Sequence, residues 1–449
     1  VFSVDEIARI VVGECLFPAE VPVHRAVHDS RIVEPGDLFV ALRGSRTDGH
    51  RFLSDAYARG ASAALVSDRR AIPPEARNAI VVPEPLVALR GLAAAWRRAI
   101  PAVFVGITGS NGKTTTKRLL THFLSSSRAV YVAPGNYNTE IGLPLALTAT
   151  PPSTDVGIFE LGAERPGEIA PLAETLSPSL ALLTTVGPSH LAAFGTLDAI
   201  AAEKWALVES LPREGVAIVN ADDPRLRARA AQSTRPCITV GFDVGEVRAR
   251  IVATHPQLVV RVEHPSLHLE APLLGRHNGV NLLLAAVAAV RLGAPAGEIE
   301  RRARTYTPVA HRLEPRAAAF GTVLDDTYNA NPASTAAALR VLAETGNPKT
   351  RRIFVFGDML DLGSESDGYH REIAHLAAGL GIDRIYPIGE RATSACRAVA
   401  SGRTHLIPRD RLATELLSRL PGSTPDAVVL VKGSRALRLE ELVDALLAP

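Results

Sequence analysis

GITGSNGKTTT, Gly106–Thr116, decides how the rest of the chain is read. It continues the apolar run AVFVGIT (102–108) and opens a segment with helical patterning at 113–125. Strand, glycine-rich loop and helix, in that order, is the setting a phosphate loop requires. Gly109 and Gly112 let backbone N–H groups turn toward phosphate oxygens, and the helix N-terminus adds its dipole. Lys113 is placed to neutralise β- and γ-phosphate charge, and Thr114 to offer its hydroxyl to Mg2+. The strict phosphate-loop spacing has glycine five positions before Gly112; Ile107 stands there instead.

Working outward, strand-length apolar runs at 156–160, 180–186 and 216–220 alternate with helical patterns such as 196–211. Such alternation predicts a parallel sheet with crossover helices. Residues 246–270 alternate like antiparallel hairpins, and a helix of small apolar residues is expected at 278–292. Before the loop, 38–42 and 62–66 read as strands around a helix near 52–59, and 86–100 as a connecting helix. After it, strands at 322–325, 352–357, 384–388 and 428–432 alternate with helices at 333–345, 369–380, 391–400 and 435–447, a second parallel α/β layout. At 449 residues the chain is long enough for about three domains. The expected boundaries are 1–84, 85–309 and 310–449, and the fold class is α/β throughout.

Composition excludes several function classes. A net charge of +2 with no long single-sign run argues against a nucleic-acid or membrane-surface protein. No apolar stretch is long enough to span a bilayer. The opening VFSVDEIARIVVG has no leader-like layout, so a cytoplasmic protein is expected. Cys15, Cys237 and Cys396 lie far apart and read as reduced, buried thiols rather than a metal or disulfide framework. Only five of the 49 basic residues are lysine, at 113, 117, 204, 349 and 432. Lysine is therefore informative wherever a motif also demands it, because arginine cannot replace an amine that must be chemically modified.

A phosphate loop alone does not separate a motor, kinase, switch or ligase. Glu160 ends the strand-like VGIFE, a usual place for a magnesium ligand. His190 and Lys204 follow in LLTTVGPSHLAAFGTLDAIAAEKWALVE. The string T-G-S-N-G-K-T together with these positions resembles the Mur ligases, a family that also includes folylpolyglutamate synthetases. HDSR (28–31), PGDLFVALRG (35–44) and TDGHRF (47–52) resemble the family's uridine-diphosphate-sugar binding domain. GNYNTEIGLPLAL (135–147), VLDDTYNANPAS (323–334), FGDMLDLG (356–363) and VLVKGSRALRLEELV (429–443) resemble the member that adds D-alanyl-D-alanine. That member usually has a second asparagine where Thr139 sits.

The resemblance implies three domains: a small α/β N-terminal UDP-binding domain, a central phosphate-loop ATPase domain with a mostly parallel sheet, and a C-terminal Rossmann-like α/β domain. It implies ATP, two Mg2+ ions and CO2, the last as a carbamate on Lys204. Thr108, Gly109, Ser110, Asn111, Gly112, Lys113, Thr114 and Thr115 would hold phosphates. Asn281, Arg312, Asp326, Tyr328 and Asn329 would contact nucleotide or close over it. Thr114, Glu160, His190 and carbamylated Lys204 would form the metal site; Lys113, Glu160, His190, Lys204 and Arg312 would be the catalytic set. Asp29, Ser30 and Arg31 would hold the UDP end, Asn136 and Asn138 would bind substrate, and Lys432, Ser434 and Arg435 would face the incoming dipeptide. The implied substrates are UDP-N-acetylmuramoyl-tripeptide and D-alanyl-D-alanine, with neither nucleic acid nor membrane as partner and a monomer as the working unit. Three alternatives remain: a sister Mur-type ligase, a folylpolyglutamate-type ligase, and a non-ligating Mur-like binding subunit.

Overall fold

The computed structural model describes residues 2–17, 20–44, 47–76, 78–420 and 427–448. The outer ends of the expected first and third domains, Val1 and Pro449, lie outside the described residues. Three main sheets follow one another along the chain. The first runs in the order Glu14–Leu16, Ala79–Val81, Ala63–Val66, Asp37–Val40, Arg25–Val27, parallel except for its first pair. A two-stranded ribbon, Phe2–Ser3 with Pro22–Val23, lies beside it.

The central sheet has nine strands and is built around Val103–Thr108, whose residues after Val103 are all buried. Val156–Glu160 pairs with it on one side and Leu180–Leu183 on the other, both parallel. Val130–Val132 lies beyond the first and Val216–Asn220 beyond the second. The strand order therefore reverses at the phosphate-loop strand, and a crevice opens at the carboxyl ends of the strands there. The far side continues through Cys237–Gly241 into the antiparallel strands Val247–Ala253, Leu258–Val262 and Leu267–Ala271, as the alternation at 246–270 predicts.

The C-terminal sheet runs Glu314–Ala318, Gly321–Asp326, Ala427–Lys432, Arg351–Gly357, Arg384–Ile388. Its first strand is an antiparallel edge that the patterning misses, since Pro315 interrupts it; an edge strand tolerates proline because its N–H side needs no partner. The expected helix at 435–447 is two elements, a 3-10 turn Arg435–Leu437 and a helix Glu440–Leu447, with Arg438 at φ +49° between them. Leu437 and Leu439 both pack toward Gly357 and Gly433, which a continuous helix forbids because residues two apart do not share a face. The strand expected to reach residue 186 ends at Leu183, because the next residues turn to bond the phosphate loop.

Two junctions hold these bodies together. Helix Pro85–Ala99 buries Leu89, Leu92 and Trp96 in one core shared by Leu38, Leu65 and Ile80 of the first sheet and Phe104 and Leu143 of the central body. Burial of this kind contributes roughly 2 kcal/mol per large side chain before entropy is set against it. Helix Pro332–Glu344 touches the central body at both ends. Asn331, its N-cap, meets Asn111, and Thr345 and Glu344 meet His255 and Thr254.

Candidate active site

The loop after Val103–Thr108 is fixed from beneath. Gly109 has φ +151° and Gly112 φ +86°. A Cβ on Gly109 would collide with Thr184 Oγ1 and one on Gly112 with Asn281 Oδ1, so both positions exclude larger residues. Thr184 Oγ1 donates to Asn111 O, Ser110 N donates to Thr185 O at 2.7 Å, and Ser110 Oγ donates to Gly187 O at 3.0 Å. Thr108 lies below the loop, its hydroxyl donating to Leu161 O at 2.9 Å. Asn281 is buried behind helix Lys113–Leu124, where its Oδ1 accepts from Thr116 Oγ1 at 3.4 Å and its Nδ2 donates to Asn278 Oδ1 at 3.1 Å. Its present partners are thus the loop's own supports, although it also borders the cavity.

The loop opens into a cavity of about 1150 Å³ between the central and C-terminal bodies. Lys113, Thr114, Thr115, Glu160, His190, Lys204, Arg312, Asp326, Tyr328, Asn329, Asn136, Asn138, Lys432 and Arg435 all line it. Thr114 Oγ1 donates to Glu160 Oε2 at 3.3 Å. Burial lowers the Lys113 ammonium pKa, Glu160 opposes that shift and Arg312 adds to it. Lys204, on helix Leu197–Glu209, is 3 % exposed and has no carboxylate within ion-pair distance among the described residues. Its neighbour Glu203 points away, accepting from the N–H groups of Gly167 at 2.6 Å and Ile169 at 2.7 Å. Burial, helped by the charge of Lys113, pushes the Lys204 amine down to about 7. His190 has φ +52° at the start of the short helix Leu191–Phe194.

Arg312 arrives from the C-terminal body on a strained turn. His311 and Leu313, on either side, have φ +61° and +53°, a region non-glycine residues rarely adopt. The turn is held by His311 Nδ1 against Asp325 Oδ2 at 2.8 Å and by Leu313 N donating to Asp326 Oδ1 at 3.2 Å. The guanidinium lies 4.0 Å over the Tyr328 ring and donates through Nη2 to Thr114 Oγ1 at 3.1 Å. Its Nε is buried without a partner among the described residues, as expected of a group awaiting an anion. Asn111 and Asn331 exchange amide hydrogen bonds of 3.3 and 2.8 Å across the same boundary.

Several expected residues already have partners or lie elsewhere. Lys432 Nζ, 2 % exposed, is 2.6 Å from Asp326 Oδ2 and donates to Asn329 O at 2.9 Å. Arg435 pairs with Glu440 at 3.1 Å at the cavity rim. Ser434 is buried off the cavity and accepts from Leu360 N at 2.9 Å. Asp29, Ser30 and Arg31 sit in the first body, away from the cavity. There Arg31 lies 2.7 Å from Asp29 and holds its carboxyl down to about 2. His277, next to Asp326 and Lys432, escaped the sequence reading; burial lowers it to about 4 and it is neutral near pH 7. Lys117, also unassigned from sequence, lies 2.9 Å from Glu160 Oε1. The lysine scarcity was its signal: four of the chain's five lysines line this one cavity.

No group of three His, Cys, Asp or Glu side chains that could hold a metal occurs among the described residues. Magnesium brought in with a nucleotide takes one or two carboxylates and completes its shell with phosphate oxygens and water. Thr114 Oγ1 and Glu160 Oε2 are hard oxygen donors placed for that share.

Comparison with known proteins agrees along the whole chain. The "Mur ligase family, catalytic domain" matches residues 22–97, the "Mur ligase middle domain" 107–289 and the "Mur ligase, glutamate ligase domain" 311–435. The UDP-N-acetylmuramoyl-tripeptide–D-alanyl-D-alanine ligase of Escherichia coli K12 is 34% identical, over 99% of this chain and 98% of its own. The crystal structure of MurF from Acinetobacter baumannii superposes with a TM-score of 0.90 at 28% identity, covering 99% of this chain and 98% of its own. MurF ligase from Thermotoga maritima in complex with ADP gives 0.85 at 27% identity, covering 96% and 98%. The chain belongs to the Mur ligase family.

Proposed function

We infer that the chain is an ATP-dependent ligase joining D-alanyl-D-alanine to the terminal carboxylate of UDP-N-acetylmuramoyl-tripeptide, a step in making the peptidoglycan precursor. The observation that carries this reading is the convergence, in one cavity, of the phosphate loop, the Glu160–Thr114 pair and Arg312 from the following domain. Full-length similarity to ligases named for this reaction chooses the substrates. We divide the chain at 1–84, 85–309 and 310–449, and take a single cytoplasmic chain as the working unit. No helix among the described residues is long and apolar enough to cross a membrane.

A free carboxylate is a poor electrophile, so ATP activates it. The tripeptide carboxylate attacks the γ-phosphorus, ADP leaves, and an acyl phosphate forms. The dipeptide amine attacks the acyl carbon, and phosphate departs from the tetrahedral intermediate. Lys113 and the amides of residues 109–115 hold the phosphates while negative charge shifts between them. Arg312, already half-seated over Tyr328 and Thr114, adds positive charge when the C-terminal domain closes. Thr114, Glu160 and His190 would hold magnesium, which when bound would supply further charge neutralisation at the phosphoryl group. The Lys204 ammonium gives up one proton to become the neutral amine, which adds to CO2 and loses a second proton to leave a carbamate anion; the low pKa of about 7 supports this. Asp29, Ser30 and Arg31 carry the UDP end, Asn136 and Asn138 the acceptor peptide, and Lys432 and Arg435 shape the dipeptide side, with Ser434 off the cavity supporting that side through Leu360 N. Closure excludes the water that would hydrolyse the acyl phosphate.

The test is phosphate release from ATP with UDP-N-acetylmuramoyl-tripeptide, with and without D-alanyl-D-alanine, followed by mass measurement of the product. Release that needs both, with a product heavier by the dipeptide, is expected. Release with a single amino acid but not with the dipeptide would move the chain to a sister step.

A further inference from the structure

Three of the four lysines around the cavity have a place in this reading; Lys117 has none. It stands one turn after Lys113 on helix Lys113–Leu124 and is 3 % exposed. An ammonium taken out of water needs strong partners. Lys117 has two: Glu160 Oε1 at 2.9 Å, and the carbonyl of Ala133, to which Nζ donates at 3.0 Å. Glu160 is itself 5 % exposed, and its two oxygens are divided. Among the described residues Oε1 makes no directed hydrogen bond and has the Lys117 ammonium as its ion-pair partner at 2.9 Å, while Oε2 takes the Thr114 hydroxyl on the phosphate side. Ala133 is the residue from which the chain turns into the cavity-lining stretch 135–141. One buried cation thus ties the metal carboxylate to the start of the acceptor loop.

Resting on the metal reading above, we propose that Lys117 is a positioning residue that sets how tightly Glu160 holds its metal. It pairs electrostatically with one carboxylate oxygen, leaves Oε2, which Thr114 also touches, to face the cation, and sets a like charge beside the metal. Two consequences oppose each other. Removing the charge strengthens metal binding, because the carboxylate is no longer shared. Removing the anchor impairs turnover, because Glu160 and the 135–141 stretch lose their common support. A lysine that merely filled space would not move these two readouts in opposite directions.

The test uses Mn2+ as the probe, titrated into the full chain with ADP, with free Mn2+ read by electron paramagnetic resonance. Glu160→Gln comes first and is expected to weaken binding; unchanged affinity there overturns the metal reading itself. With that established, Lys117→Met is expected to bind Mn2+ about tenfold more tightly, the usual size for removing a like charge a few ångströms away, while kcat falls. Lys117→Arg keeps the charge and is expected to stay near the wild-type Mn2+ affinity. Lys117→Gln, which keeps a donor for Ala133 without the charge, is measured in parallel in case Lys117→Met does not fold. Unchanged or weaker Mn2+ binding in a folded, charge-free variant, alongside a weakened Glu160→Gln, overturns the role of Lys117 and leaves the metal reading standing.

Discussion

Lys117 and Lys204 line the same cavity and are equally buried, at 3 % exposure each, yet their surroundings are opposite. Lys117 has a carboxylate at 2.9 Å and a carbonyl at 3.0 Å. Lys204 has neither among the described residues, and burial, helped by the charge of Lys113, drives it down to about 7. The contrast teaches that burial alone does not make a lysine reactive. A buried lysine with a carboxylate partner organises its neighbours. One without a partner is pushed toward the neutral amine, the form that can attack CO2. Lys432, 2.6 Å from Asp326, belongs with Lys117.

The largest expected effect comes from erasing the difference chemically. Lys204→Arg keeps a cation but cannot form a carbamate, and steady-state turnover is expected to fall by about 10²–10³-fold, the usual loss for one charge-stabilising group. Turnover within threefold of wild type would break the comparison. Next comes stability on the paired side. Lys432→Met strands the Asp326 carboxylate, which is nearly buried, and urea unfolding is expected to show a loss of about 3 kcal/mol.

Lys204 sharpens the contrast through pH. Its folded pKa, about 7, lies below its unfolded value, so between roughly pH 7 and 10 the unfolded chain binds the extra proton. Stability from this group therefore rises with pH across that window, by up to about 1.4 kcal/mol per unit, and its burial penalty is full below pH 7. In CO2-free, metal-free buffer, Lys204→Met is expected to lack that slope, and an unchanged slope would count against the unpaired state. The smallest effect belongs to the domain boundary. Asn331→Ser keeps the helix cap but loses the amide pair with Asn111. The melting temperature is expected to stay nearly constant while KM for ATP rises a few-fold; a large stability loss would make Asn331 purely structural.

The phosphate loop was legible in the sequence because its chemistry needs neighbouring residues: Gly109, Gly112, Lys113 and Thr114 do their work within six positions. The parallel layout was legible for the same local reason, through alternating strand and helix periods. What escaped depends on distant partners. The amide pair joins Asn111 to Asn331, and the Arg312 turn is set by Asp325 and Asp326; no local pattern encodes either. Lys117 was countable as a rare lysine, but its pairing with Glu160 needs the sheet to bring residue 160 beside the loop. The early end of the strand at Leu183 and the break at Arg438 likewise follow from tertiary contacts that override an apolar run.

The proposed carbamate on Lys204 is where the two buried lysines differ most. Carbon-13 NMR of the full chain under 13C-labelled CO2, with magnesium and ADP present, tests this directly. One carbamate resonance is predicted, retained in Lys117→Arg and absent from Lys204→Arg. A resonance that survives Lys204→Arg, or none in active wild-type enzyme, would contradict the account.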